Sequence, residues 1–435
     1  MKNIIPPVKG TRDFYPEVMA IRTWLYATMR SVAESFGYQE FEAPFIESLE
    51  LYSAKSGDEL VKEQSFVFED RGGNLVTLRP ELTPSLVRMV AQRQNQLVFP
   101  LRWWSYGPFW RYERPQKGRT REFFQWNVDI LGSSSPAADA ELTSIVATFF
   151  KKVGLTSNQA IILVNNRQLM ESELLRLGIP PDRMTDTFRL IDRKDKMRPE
   201  EWETYTRERG LDSKQTVGIL DLLADEDLWR KSDPLQRFFE AVNALGLSEY
   251  IRYAPYIIRG LDYYTGTVFE AQAQTGNIKR SILGGGRYDN LLSDVGGQPL
   301  PATGFAMGDV VLTLVLQDLN LIPASIQQHP APVLVTVFDE QTRLESLKLA
   351  GDLRQAGHKV ACYLDEDKLA KQLKYADRIG SRVVVLLGPE EIADRTVTLK
   401  DLITRQQQTV PRSKASQTIV KMLQQQKMLE NAGSS

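Results

Sequence analysis

The run from Tyr106 to Gln125 constrains this chain more than any other. It reads Tyr106-Gly-Pro-Phe-Trp-Arg111-Tyr-Glu113-Arg-Pro-Gln-Lys-Gly-Arg119-Thr-Arg-Glu-Phe123-Phe-Gln125. The first part is apolar and aromatic, a stretch marked by cations, Pro and Gly then turns the chain, and a second aromatic run follows. That pattern predicts strand, loop, strand. Arginines flank the turn, so a rigid platform would hold several guanidinium groups close together. Guanidinium forks match phosphate oxygens bidentately, which suits a polyphosphate, a nucleic-acid backbone, or both. Taken alone, the same run also fits a solvated hairpin with surface ion pairs.

The chain has 435 residues, enough for two or three domains at roughly 100–200 residues each. Its formal net charge is -1, so a nucleic-acid partner would have to meet a local basic face. Cys362 is the single cysteine. It excludes an intrachain disulfide framework and a cysteine metal cluster, and its apolar surroundings suggest a buried, inert thiol. The two histidines, His329 and His358, lie outside any motif. Histidine ligation of a metal and histidine general-base catalysis are therefore not expected, and no metal is expected to be caged by the protein. No run of about 18 apolar residues occurs, so no membrane span is expected. The start lacks the apolar stretch of a signal peptide, which implies a cytoplasmic location.

Helical spacing of Met19, Ile21, Leu25, Met29, Val32 and Phe36 predicts a long helix over Glu17–Phe36 stopped by Gly37. An alternating run to Pro44 follows, then a hairpin around Arg71-Gly-Gly-Asn74 and a helix through Val90 with Ser or Thr near its start. Further strands are expected at Asn127–Leu131 and Ala160–Val164. Residues from about Pro180 to about Leu247 are charged and helical, an insertion interrupting a sheet domain. Gly304-Phe-Ala-Met-Gly308 is expected to open an apolar helix through Leu316. After a Pro/Ser/Gln-rich linker at Asn320–Pro332, strands alternate with helices in an α/β domain over 331–423. Residues 424–435 read as a polar, frayed tail.

Several segments together resemble the histidyl-tRNA synthetase family of class II aminoacyl-tRNA synthetases: Lys9-Gly-Thr-Arg-Asp13, Leu78-Arg-Pro-Glu81, the Tyr106–Gln125 run (motif 2), Arg259-Gly-Leu-Asp-Tyr263-Tyr264-Thr-Gly266, and Lys371-Gln-Leu-Lys-Tyr-Ala376. The resemblance covers almost the whole chain. It implies an α+β catalytic domain over 1–325, an antiparallel sheet with flanking helices and the helical insertion at about 180–247, followed by an anticodon-binding-like α/β domain. It also implies a homodimer built on the first helix and the strand ending at Pro44. The implied activity is ATP-dependent ligation of L-histidine to tRNA(His) through a histidyl-adenylate, with Mg2+ carried mainly by the ATP phosphates.

Residue by residue, the resemblance implies Arg111 and Arg259 as catalytic groups on the α-phosphate, Arg119 near the γ-phosphate, Glu113 near ATP, and Phe123 against the adenine. Glu81 and Tyr264 would meet the imidazole, and Thr83, Gln125 and Asp129 the ammonium group. Tyr263 and Tyr288 would line the pocket, and Gly284-Gly-Gly286 would allow close approach of backbone to substrate. Asp129 stands where many members carry Glu. The largest departure is in motif 3, Gly308-Asp-Val-Val311-Leu, where Val311 replaces an arginine that packs on adenine. A valine supplies no cation, so ATP binding is weakened, recruits another arginine, or is lost. A non-ligating paralogue that regulates ATP phosphoribosyltransferase is the alternative reading. It lacks the C-terminal domain and usually loses residues of the Arg259 type, and this chain keeps both.

Overall fold

The structure, a computed structural model, describes residues 4–53, 64–194, 197–258, 263–278, 280–326, 331–365 and 367–432. Arg259 and His329 lie outside the described residues. The chain divides into two compact units, Met1–Ile326 and Gln327–Ser435.

The strands of the first unit are β1 (Gln39–Glu40), β2 (Ile46–Ser48), β3 (Phe66–Glu69), β4 (Leu75–Leu78), β5 (Leu101–Trp110), β6 (Glu122–Leu131), β7 (Ala160–Asn166), β8 (Ile251–Tyr253), β9 (Thr267–Ala273), β10 (Ser281–Arg287) and β11 (Ala302–Gly308). Eight of them form one sheet in the order β1-β5-β6-β11-β10-β9-β7-β8. From β5 to β7 every neighbouring pair is antiparallel, and only the edge strands β1 and β8 pair in parallel. Strands β2, β4 and β3 make a separate three-stranded sheet.

The large sheet owes its core to alternation. In β6, Trp126, Val128 and Ile130 are essentially fully buried on one face, and Trp126 packs on Phe149 with ring centroids 5.4 Å apart. Phe149 belongs to the helix Pro136–Lys152, which Ser135 caps by accepting from the Ala137 N–H and which has Pro at its first position and lysines in its last turn. All three features favour helix. The helix is shielded on nearly every side, so its sequence is apolar almost all round.

Between β7 and β8 the chain is helical, with helices Arg167–Arg176, Met184–Arg193, Pro199–Glu208, Ser213–Ala224 and Asp233–Ala244. The first helix of the unit runs Pro16–Ser35, and Gly37 follows in the left-handed region at φ 81°.

Local structure departs from sequence expectation in several places, and the alternating run to Pro44 forms strand only at Gln39–Glu40. The helix Thr83–Arg93 has Leu82 at its N-cap and no side-chain cap. Gly304–Gly308 lies in β11, and the helix begins only at Asp309. Small residues here allow strands to pack closely at the sheet centre, which outweighs the helical look of the run. The helix Ala415–Ala432 extends through most of the tail expected to fray. Cys362 is only half-buried, and burial pushes its thiol pKa up.

The second unit contains β12 (Val333–Val335), β13 (Val360–Cys362), β14 (Val383–Leu386), β15 (Thr396–Asp401) and β16 (Gln407–Pro411), ordered β13-β12-β14-β15-β16. The first three are mutually parallel and the last two antiparallel. The helix Glu340–Gln355 joins β12 to β13 and the helix Leu369–Arg378 joins β13 to β14, the connection parallel strands require. The valines of β12 and β14 are fully buried.

Candidate active site

The face of β6 opposite the core carries Gln125, Asn127 and Asp129, and all three line a cavity of about 190 Å3. Glu81, Thr83 and Arg111 reach it from one side, Tyr263, Tyr264 and Tyr288 from another, and Gly284 and Gly304 supply backbone. Every residue assigned by resemblance to the amino-acid pocket is thus gathered around one cavity. Asn127 was missed by sequence reasoning. It stands between Gln125 and Asp129 at strand period two, and that alternation alone would have placed it on the same face. Its side-chain amide nitrogen is buried without a hydrogen-bond partner among the described residues.

The polar groups are tightly organised. The Tyr288 hydroxyl donates to Asp129 Oδ1 at 2.6 Å, and the Tyr263 hydroxyl donates to Glu81 Oε2 at 3.3 Å. The rings of Tyr263 and Tyr264 lie 5.1 Å apart, and those of Tyr263 and Tyr288 6.1 Å apart. Burial pushes the Asp129 carboxyl up to about 7, against the opposing effect of the Tyr288 hydrogen bond. An Asp poised near neutrality can ionise fully when a cation arrives.

Gly304 pairs directly with Asp129 in the β11–β6 ladder. A Cβ at this position would lie 1.9 Å from Asp129 Oδ1, so only glycine leaves room for the carboxylate. Gly285 and Gly286 make way for other side chains, Phe269 and Tyr264 respectively.

Arg111 follows the end of β5. Its Nε donates to the Pro80 carbonyl at 3.0 Å, one residue from Glu81, and its guanidinium sits over the Phe123 ring 5.4 Å from the centroid. Phe123 in turn stacks on Phe109 at 6.1 Å. Beyond Arg111 the chain makes a tight turn, with Gln116 and Arg119 bridged and Gly118 at φ 80°. Arg119 Nε pairs with Glu113 Oε2 at 2.5 Å.

Arg119 does not line the first cavity. It lines a second one of about 1010 Å3, together with Val311, Arg280 and Glu270. Val311 is half-buried and packs on the main core. At the start of the same helix, Asp309 accepts from the Phe124 N–H at 2.8 Å and from Arg12 Nη2 at 2.9 Å. Arg12, in the Lys9–Asp13 segment, thereby ties the chain's beginning to β6 and to the motif 3 helix. Among the described residues no cluster of three or more His, Cys, Asp or Glu side chains forms a metal site.

The family model described as histidyl-tRNA synthetase matches residues 10–309, and that described as anticodon binding domain matches residues 331–422. The histidine–tRNA ligase of Haloarcula marismortui is 39% identical over 93% of this chain and 95% of its own length. A crystal structure of histidyl-tRNA synthetase from Nostoc sp. PCC 7120 superposes with a TM-score of 0.79 at 26% identity, covering 97% of this chain and all of the other. A Bacillus halodurans structure titled ATP phosphoribosyltransferase regulatory subunit/histidyl-tRNA synthetase has a TM-score of 0.71 at 22% identity, covering 86% of this chain and 97% of that one. That likeness speaks for the fold alone. A family model spanning most of the chain, and a relative matched nearly end to end, place this protein in the histidyl-tRNA synthetase family.

Proposed function

We propose that the chain ligates L-histidine to tRNA(His) at the expense of ATP, through a histidyl-adenylate. The observation that carries this reading is the pairing of two buried carboxylates, Glu81 and Asp129, with three tyrosines in one small cavity beside Arg111. An α-amino acid whose side chain is a ring with two hydrogen-bonding nitrogens fits that set. Asp129 would take the ammonium group with Thr83 and Gln125, while Glu81 and Tyr264 would take the imidazole.

In this reading a carboxylate oxygen of histidine attacks the α-phosphorus. A new P–O bond forms, the bridging P–O bond to the β-phosphate breaks, and pyrophosphate leaves with the electron pair. Arg111, fixed by the Pro80 carbonyl, stabilises negative charge as it develops. Arg259 is assigned the same task on sequence grounds. Glu113 stands beside ATP, Arg119 meets its outer phosphates and Phe123 its adenine. A terminal ribose hydroxyl of tRNA then attacks the adenylate carbonyl and AMP leaves. Mg2+, when bound, would supply further charge neutralisation. The Glu113 carboxylate is engaged by Arg119, so the ion's ligands would be chiefly phosphate oxygens.

The C-terminal unit is assigned to the anticodon and the chain to a cytoplasmic homodimer resting on the Pro16–Ser35 helix and the segment ending at Pro44. Val18, Met19, Phe45 and Ile46 are exposed in that region, and sedimentation at micromolar concentration distinguishes a dimer from a monomer. No helix among the described residues is long and apolar enough to cross a membrane. The regulatory reading is the less supported one, because the ligase relatives match along nearly their full length and residues 331–422 match the anticodon-binding model.

The deciding assay is histidine-dependent exchange of pyrophosphate into ATP, with ATP titrated into the millimolar range. Saturable exchange is expected despite Val311, because losing a cation–π contact costs only about 0.5–2 kcal/mol. Its absence at every ATP level, from folded protein, would reject the ligase. A second expectation concerns pH. Ammonium binding requires ionised Asp129, whose pKa in the free protein is about 7. Histidine affinity should therefore improve as pH rises from 6 to 8, beyond the dependence shown by Asp129→Asn. The free protein's stability has the opposite sign. Folded Asp129 holds its proton between the unfolded value near 4 and about 7, so its stabilising contribution is lost as pH rises through that window. Thermal unfolding of both proteins at pH 5 and pH 8 checks the sign.

A further inference from the structure

Among the described residues, the cavity on the motif 2 side has one cation that the assignments above leave unused. Arg280 immediately precedes β10, whose register shifts between Ser281 and Leu283. Such irregularities re-aim side chains beside active sites. The Arg280 side chain runs along the Gly118 turn: a Cβ built on Gly118 would stand 3.3 Å from its Cδ and 3.4 Å from its Nη1. Gly118 immediately precedes Arg119, so the two guanidinium groups flank one turn. Both line the cavity of about 1010 Å3, a size at the upper end of ordinary small-molecule sites.

Charge in this cavity decides the argument. Arg119 is already paired with Glu113. Glu270 and Asp192 also line the wall, and Glu270 accepts from Gln272 Nε2 at 2.8 Å. Among the described residues the wall thus carries the carboxylates Glu270 and Asp192 and two guanidinium groups, of which Arg119 is paired with Glu113. Arg280 is exposed, and among the described residues no hydrogen bond or ion pair to it occurs. The wall also carries Val311, which brings packing and no charge.

We propose that Arg280 is a nucleotide-binding residue, holding the terminal phosphates of ATP together with Arg119. The assignment rests on the ligase reading for the identity of the nucleotide. It supplies, from a different strand, positive charge that the motif 3 helix does not provide. An arginine serves because its fork can bridge two phosphate oxygens while its stem rests on the turn.

The test uses the full chain with Arg280→Ala and Arg280→Lys. Calorimetric titration with ATP and with AMP is read beside histidine-dependent pyrophosphate exchange. Arg280→Ala should weaken ATP binding roughly ten-fold, raise the Michaelis constant for ATP in parallel, and leave AMP binding and the Michaelis constant for histidine unchanged. Arg280→Lys should recover part of the ATP loss. Unchanged ATP affinity in Arg280→Ala overturns the proposal while wild-type exchange leaves the ligase intact. An equal loss for AMP also overturns it, because the residue then acts away from the terminal phosphates. Arg280-dependent ATP binding without any exchange would keep this assignment and remove the ligase. Failure of the wild type to bind ATP removes both.

Discussion

Arg111→Ala is expected to cut histidine-dependent pyrophosphate exchange by roughly 10²–10³, the cost of removing one preorganised donor from developing charge. Three observations support that proposed role. Its Nε is committed to the Pro80 carbonyl, its guanidinium lies over Phe123, and it lines the cavity that holds Glu81 and Asp129. The orientation is set before substrate arrives, so little reorganisation is needed at the moment of reaction. Arg111 is half-buried and makes no ion pair among the described residues, and the variant should keep its thermal transition. The loss should appear in the maximal rate more than in the Michaelis constants. Near-normal exchange from Arg111→Ala would remove the residue from the reaction.

The second large effect is expected from a change that adds a single carbon. Gly304→Ala would put Cβ 1.9 Å from Asp129 Oδ1, 2.7 Å from its Cγ and 3.1 Å from the Val128 carbonyl. The backbone carbonyl of a central ladder cannot yield readily, so the Asp129 side chain must swing and its bond from Tyr288 is broken. Overpacking of this kind costs about 1–3 kcal/mol of stability. Losing a charged hydrogen-bonding partner for the ammonium group should weaken histidine binding by roughly ten- to a hundred-fold. ATP binding should be spared, because Gly304 does not line the second cavity. The check is separate titration with histidine and with ATP. Unchanged histidine affinity would mean that Asp129 does not hold the substrate.

Much of the fold was legible because its signals are local. The aromatic runs of β5 and β6 announce strands, and the spacing of Leu25, Met29 and Val32 announces the first helix. The second unit follows from its alternation of valine-rich runs with amphipathic ones. The site was legible largely through resemblance. No periodicity says that Glu81, on a loop before a helix, meets Tyr263 from a segment 182 residues later in the chain. Asn127 was legible by alternation, once Gln125 and Asp129 were assigned to one face. Gly304 and Arg280 were not, since their importance is one of distance: one sits opposite a carboxylate across a ladder, the other beside a turn remote in sequence. The strand at Gly304 escaped for a related reason. Its glycines suit close packing at the centre of a sheet, a demand set by neighbours and invisible in the run itself.

The alternation of β6 also governs how this protein can change. Trp126, Val128 and Ile130 belong to the core while Gln125, Asn127 and Asp129 belong to the cavity. Exchanging one side chain touches one face and leaves the other in place. Inserting or deleting one residue within the strand would invert everything beyond it, driving a carboxylate toward Phe149 and an indole into the pocket. The stretch is therefore open to substitution and closed to length variation. On the proposed reading, amino-acid preference can drift here only by swapping side chains at fixed positions, whereas the second cavity, lined from a turn and a strand end, can move its cations from one element to another.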